Sequence, residues 1–225
     1  MGKRGPKPKY VISTEWSSGL AYAVGLLASD GCLSCDGRHI DLTSIDIDQL
    51  GNFNKALGIK LNIGLKDKNS KNLNKAYRVQ ISSVLFCDFL KTIGLTKKKS
   101  LTIKKIDLPD IYFFDFLRGL FDGDGYSYSY WDKRWKSSYM FYIGFCSASI
   151  IFVDWLRKKI FDLVKIEGHI TKAKRKNYCY QLKYSKYEAV KLVRFMYKNG
   201  KVIKLNRKYL KIKAVLGIMR KLNEI

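Results

Sequence analysis

The chain has 225 residues, with 43 Lys and Arg against 19 Asp and Glu, a net charge of +24 and a pI near 9.8. A field of that size goes far beyond what solubility needs and points to a polyanionic partner, nucleic acid ahead of an anionic membrane. No apolar run approaches the roughly 20 residues that cross a bilayer, five scattered cysteines exclude a disulfide scaffold, and no signal-peptide layout is present, so a soluble, intracellular chain is expected.

Residues 1–10 hold Lys3, Arg4, Lys7 and Lys9 among prolines and glycines. They suit an extended basic arm that orders on DNA, or a tail that stays unfolded. A helix is expected over about 18–29, capped by Ser17 or Ser18. The Cys35-Asp-Gly-Arg38 turn then opens a hairpin whose second strand, from His39 to Ser44, turns Ile40 and Leu42 inward. Cys32, Cys35 and His39 have a zinc-like spacing but lack a fourth ligand, so reduced thiols are the expectation.

Residues 46–57 read as a helix with Ile47, Leu50, Phe53 and Leu57 on one side. A second hairpin pairs 60–66 with 77–82. It sets Leu61, Ile63, Leu65, Val79 and Ile81 inward, and Lys60, Asn62, Lys66, Arg78, Gln80 and Ser82 outward. A helix over 83–93, with Leu85, Phe86, Phe89 and Leu90, is followed by the basic stretch Lys97 to Ser100. The order then recurs: a helix at about 110–123, a long aromatic hairpin over 125–147, a helix at 148–163, strands near 166–174 and 177–184, a helix over 186–198 and a last one from about Asn206. The expected fold class is α+β, two pseudo-symmetric αββαββα halves each with a four-stranded antiparallel sheet. The divisions are an arm over 1–10, halves over 11–100 and 110–225, and a linker over 101–109. The first hairpin of the second half is the longer one, so the halves are not interchangeable.

One segment appears twice. Ala23-Val-Gly-Leu-Leu-Ala-Ser-Asp-Gly31 and Leu117-Arg-Gly-Leu-Phe-Asp-Gly-Asp-Gly125 are offset by 94 residues, which holds for Gly25 and Gly119 and for Asp30 and Asp124. Small or short residues recur four apart, at Ala21, Gly25 and Ser29 and at Asp115, Gly119 and Gly123, and form one helix face. Such faces let two backbones approach closely, at about 1 kcal/mol of helix propensity per Gly. Two helices packed along them bring Asp30 and Asp124 together at their C-termini. Both the helix dipole and the mutual repulsion oppose that placement. A shared cation, or a pair of cations, resolves the conflict, and hard oxygen donors suit Mg²⁺.

These segments resemble the paired signature helices of the LAGLIDADG homing endonucleases in their single-chain form, and the resemblance covers nearly the whole chain. It implies a metal-dependent DNA endonuclease in which the last acidic residue of each copy, here Asp30 and Asp124, does the chemistry. Ala28 stands where the motif has its earlier acidic residue, while the second copy keeps Asp122; this departure bears on helix capping rather than on catalysis. The family places a lysine after the last helix of each half. That implies Lys99 and Lys208, with Lys97, Lys98 and Arg207 as neighbours one or two positions away.

Phosphodiester hydrolysis needs an activated water, a stabilised oxyanion and a neutralised leaving oxygen, which cations between carboxylates supply. Asp30, Asp124 and the carbonyls of Ser29 and Gly123 form the expected ligand set for Mg²⁺, or for another divalent ion such as Mn²⁺ or Ca²⁺. Double-stranded DNA is the expected partner of a monomer, with no membrane role. The outward faces of the sheets nominate Ser34, Arg38, Lys60, Asn62, Lys66, Arg78 and Gln80 in the first half as contacts. In the second half they nominate Tyr128, Tyr130, Arg134, Lys136, Thr171, Gln181 and Lys183. Two rival readings use the same fold: a non-cleaving DNA-binding regulator, and an RNA-binding intron maturase.

Overall fold

A computed structural model describes residues 11–66, 75–135, 137–173, 179–198 and 200–222. The arm over 1–10 and Lys136 lie outside the described residues. Helix α1 (Ser18–Asp30) begins where the Ser17 hydroxyl accepts from the Leu20 N–H and ends as Gly31 turns into an extended strand. Strands β1 (Gly31–Leu33) and β2 (His39–Ser44) are joined by a turn in which the Asp36 carboxylate accepts from the backbone N–H groups of Arg38 and His39. Helix α2 (Ile47–Leu57) is capped by Asp46 and stopped by Gly58 in the left-handed region, at φ 63°. Next come β3 (Gly64–Leu65), β4 (Tyr77–Ser82), α3 (Val84–Thr92) and a single turn, α4 (Lys99–Thr102).

A 3-10 turn over Asp110–Tyr112 leads into α5 (Phe113–Asp124). The second half continues with β5 (Tyr126–Trp131), β6 (Tyr139–Ser147), α6 (Ile150–Val164), β7 (His169–Ala173), β8 (Cys179–Ser185), α7 (Lys186–Met196) and α8 (Asn206–Lys221). The sheets are antiparallel and ordered β1-β2-β4-β3 and β5-β6-β8-β7, one topology used twice. The α+β fold with two four-stranded sheets about two central helices is as expected. Among the described residues no helix is long and apolar enough to cross a membrane.

The central pair sets the geometry. Every residue of α1 from Leu20 to Leu27 is buried, because α1 has the rest of the core on one side and α5 on the other. A Cβ on Gly25 would stand 2.2 Å from the Phe116 carbonyl oxygen, and one on Gly119 would stand 2.0 Å from that of Tyr22. Residues 22 and 116 are themselves offset by 94, so the two close approaches are images of each other. Neither helix could lie where it does with Ala at these positions.

Three inward assignments differ from the structure. Leu65 is 37% exposed because β3 is a two-residue edge strand, paired with β4 only at Gly64–Arg78 and Leu65–Tyr77, and the buried leucine of that segment is Leu61. Ile47 is 47% exposed, since the buried side of α2 starts at Gln49 and runs through Leu50 and Phe53. Leu85 is 81% exposed, since α3 buries Phe86, Cys87 and Leu90, about 100° to 200° round the helix from it.

Candidate active site and nucleic-acid interface

The C-termini of α1 and α5 meet. A Cβ on Gly123 would fall 1.8 Å from the Ser29 Oγ and 2.9 Å from the Asp30 Oδ2, so the absence of a side chain at 123 lets the two Asp-Gly ends share one place. Asp124 opens to solvent, yet its carboxyl pKa is raised, first by the crowding around it and then by the Asp30 charge, with Lys99 and Lys208 opposing. Two carboxylates and two ammonium groups therefore lie within one another's fields.

Each helix end is held by one lysine. Lys99, the first residue of α4, is nearly buried and donates to the carbonyls of Ala28 (3.0 Å) and Ser29 (2.5 Å). Lys208, in the first turn of α8, donates to those of Phe121, Gly123 and Gly125, each at 2.7 Å. Ser29 and Gly123 again stand 94 apart. Cations at helix C-termini satisfy orphan carbonyls and oppose the negative end of the dipole. Burial pulls both ammonium pKa values down, that of Lys208 to about 8, while the nearby aspartates push the other way. The neighbouring basic residues point elsewhere: Lys97 donates to the Cys35 carbonyl, and Arg207 pairs with Asp46 at 2.6 Å. A cavity of about 280 Å³ beside Lys208 is lined also by Gly125, Tyr126, Ser127, Arg207 and Lys211.

Two polar residues that the sequence pattern did not nominate belong to this centre. Gln49, buried in α2, donates through Nε2 to the Asp30 Oδ2 at 2.7 Å and is itself held by Ser44. The residue three past the cap in α6 is Phe152, where α2 has Gln49, so the Asp124 side has an apolar group at the corresponding place. The signal for Gln49 was an amide directly beside Leu50 in the apolar stripe of residues 47–57. Asp122 is fully buried. Its Oδ2 accepts from the Tyr22 hydroxyl (2.7 Å) and from the Leu205 N–H at the start of α8 (2.8 Å), while Oδ1 has no partner among the described residues. Burial raises its pKa to about 6 against the pull of those donors. Asp122 thus ties both central helices to the helix that carries Lys208, and Ala28 can make no equivalent tie in the first half.

The donor set suits a hard divalent cation. Asp30 and Asp124 offer only oxygen, their repulsion is what a cation relieves, and each lysine-bound carbonyl keeps a second lone pair. Among the described residues no group of three or more His, Cys, Asp or Glu gathers, so the protein donors at this centre are two carboxylates and backbone carbonyls. Cys32 and Cys35 are exposed free thiols, and His39 pairs with Asp36.

The outward sheet faces carry half of the nominated contacts. Arg78 and Gln80 alternate with buried Val79 and Ile81 on β4; Ser34 and Arg38 flank the β1–β2 turn. Lys60, Asn62 and Lys66 are exposed but lie beside β3 rather than in a strand. Between Arg78 and Gln80 sits an unpredicted acid: Asp41 on β2 accepts from Gln80 Nε2 at 3.0 Å and pairs with Arg78 Nε at 3.7 Å. In the second sheet Tyr128, Thr171, Gln181 and Lys183 share one face, with Thr171 opposite Gln181. Tyr130 is on that face too, while Arg134 is in the β5–β6 loop beside Asp132.

No protein-family model and no curated protein sequence matches the chain. Solved structures do. The LAGLIDADG meganuclease I-AabMI bound to uncleaved DNA superposes with a TM-score of 0.61 at 14% identity, over 92% of both chains. I-SmaMI bound to an uncleaved DNA target in the presence of calcium ions gives 0.58 at 12% identity, over 94% of both. Full-length DUF199/WhiA from Thermatoga maritima gives 0.52 at 16% identity, over 90% of this chain but 61% of that one. At such identities the likeness is one of fold, and it is the LAGLIDADG fold of two halves about paired central helices.

Proposed function

We propose that the protein is a site-specific DNA endonuclease that makes a staggered double-strand break in a long, asymmetric target with the help of a divalent cation. The observation that carries this reading is the joint placement of Asp30 and Asp124 at abutting helix ends, each end gripped by its own lysine, between two polar sheet faces on a chain of charge +24. Asp30, Asp124 and the free lone pairs on the carbonyls of Ser29 and Gly123 would hold Mg²⁺ or a similar ion. Such an ion activates water and neutralises the leaving oxygen. Lys99 and Lys208 fix the carboxylates by fixing the helix ends, and they add positive charge where the phosphate charge grows. Gln49 orients Asp30 through its amide. The halves over 11–100 and 110–225 act as one monomer on the duplex, one per strand, and their unequal hairpins suit an asymmetric site.

The test is digestion of a genomic DNA library with Mg²⁺. One discrete cut site is expected, lost in Asp30→Asn and Asp124→Asn while duplex binding remains. If no DNA is cut under Mg²⁺ or Mn²⁺ yet one sequence is bound tightly, the binding-only reading replaces this one. If an intron RNA is bound in preference to any duplex, the maturase reading does.

A further inference from the structure

We infer that the outer face of the second sheet is a preformed tyrosine ladder that reads one half-site of duplex DNA through a row of phenolic hydroxyls. The inference rests on the DNA-binding reading above and assigns the way this sheet discriminates sequence.

Tyr126, Tyr128 and Tyr130 alternate along β5 on one face, and Tyr142 on β6 lies directly opposite Tyr128. The four rings are nearly parallel. Tyr128 stands 6.2 Å from Tyr126 and 6.3 Å from Tyr130, at interplanar angles of 12° and 4°. Tyr142 stands 4.7 Å from Tyr128 and 6.1 Å from Tyr130, at 11° and 10°. The backbone has made room for the stack. A Cβ on Gly144, the residue opposite Tyr126, would lie 2.3 Å from the Tyr126 Cζ. The Tyr126 hydroxyl reaches across to donate to the Gln181 Oε1 on β8 at 3.3 Å. The ladder is therefore locked by stacking at one end and by a cross-sheet hydrogen bond at the other.

The arrangement decides the ligand. Proteins that hold unpaired strands offer open aromatic faces on which bases stack. Here Tyr142 stacks on Tyr128 at 4.7 Å, which leaves less open ring face for a base, and the Tyr142 hydroxyl is hydrogen-bonded to that of Tyr130. Burial within the stack raises the phenol pKa of Tyr128 and of Tyr142, the latter to about 12, so the groups are neutral donors and acceptors. A rigid two-stranded ribbon edged with such groups matches the major groove, whose base edges carry distinct donor and acceptor patterns. The first sheet uses different chemistry, with Arg78, Gln80 and Asp41 on its outward face and a β1 of only three residues. Both outward faces carry amide and basic groups, and the second adds a row of neutral hydroxyls that the first lacks.

The experiment compares the wild-type chain with Tyr128→Phe/Tyr130→Phe/Tyr142→Phe, which keeps the stack and removes three hydroxyls. Each is used to select sequences from a randomised duplex library, and each is titrated with the wild-type consensus at several salt concentrations. The expected result is a block of relaxed positions confined to one half-site, an affinity for the consensus lower by about 10- to 100-fold, and an unchanged salt slope, because no phosphate cation is lost. Identical selected sequences and affinity would overturn the inference. So would binding of a single-stranded oligonucleotide by the wild type as tightly as the duplex, which would make the ladder a stacking platform. A wild-type chain that enriches no duplex sequence would instead remove the DNA-binding reading itself.

Discussion

The Tyr22 hydroxyl donates to the Asp122 carboxylate at 2.7 Å across the central helix pair, with no solvent near either group. The same carboxylate oxygen caps the helix that carries Lys208, so one buried acid joins α1, α5 and α8. Asp122 titrates near 6 in the folded chain against 3.8 ordinarily. Between those values the folded state keeps a proton that the unfolded state has released, so the stability contribution is full below about pH 4 and is lost as pH rises through about 6. A rise of that size corresponds to about 3 kcal/mol. Asp122→Asn keeps the acceptor and removes the titration. Urea unfolding in chelator from pH 4 to 7 should show wild-type stability falling by about that amount relative to the variant; parallel profiles would mean that Asp122 is ionised throughout.

The close approach of α1 and α5 predicts a sharp contrast among glycines. A methyl group at Gly119 meets backbone at 2.0 Å and cannot be relieved by a rotamer change, so Gly119→Ala should destabilise by about 3 kcal/mol and disturb the alignment of Asp30 with Asp124. Gly51, exposed in α2, has nothing within 4 Å of the place a methyl group would take. Gly51→Ala should therefore stabilise by up to about 1 kcal/mol through helix propensity. Thermal unfolding of the two variants checks both signs.

How much of this could be read from the residues follows from where each signal lives. The central pair was legible because close helix packing demands small residues at fixed spacing, and Gly25 and Gly119 carry that demand in their identity. The sheets were legible through period-two alternation, as in Val79 and Ile81. Leu65, Ile47 and Leu85 were misplaced because alternation and helical stripes do not tell where an element stops facing the core. Gln49 was passed over, and Asp122 was noted only as the motif's earlier acidic residue, for a different reason. Their roles depend on partners 19 and 100 residues away, Asp30 and Tyr22, and no local pattern encodes such pairings. The tyrosine ladder was half visible: Tyr128 and Tyr130 stood out, but Tyr126 and Tyr142 gain meaning only from the β5–β6 register.

Asp41 places a carboxylate on a surface that otherwise attracts an anion. Its hydrogen bond to Gln80 and its pairing with Arg78 fix two long side chains that would otherwise sample many rotamers, and bidentate base recognition needs fixed geometry. Asp41→Ala should raise non-specific duplex affinity by removing a negative charge, yet broaden base preference in the half-site facing the first sheet. Selection from a randomised duplex library checks this; a broadened preference at both half-sites, or at neither, would sink it.

Lys99 and Lys208 each hold one helix end, and that division predicts a strand-specific defect. Lys99 binds only carbonyls that end α1, and Lys208 only carbonyls of α5 and the Gly125 that follows it. Replacing one lysine by Met therefore loosens one aspartate and removes positive charge from one side of the centre. Lys99→Met should slow cutting of one strand and Lys208→Met the other, each leaving nicked duplex, by about 100-fold if the lost charge resembles other single transition-state donors. Because Lys208 satisfies three carbonyls, its loss should also cost more stability, about 1 to 3 kcal/mol for buried acceptors left unpaired. Strand-labelled cleavage on denaturing gels gives the readout. Equal slowing of both strands by either variant would show that the two centres act as one unit, with the lysines serving the helix pair as a whole.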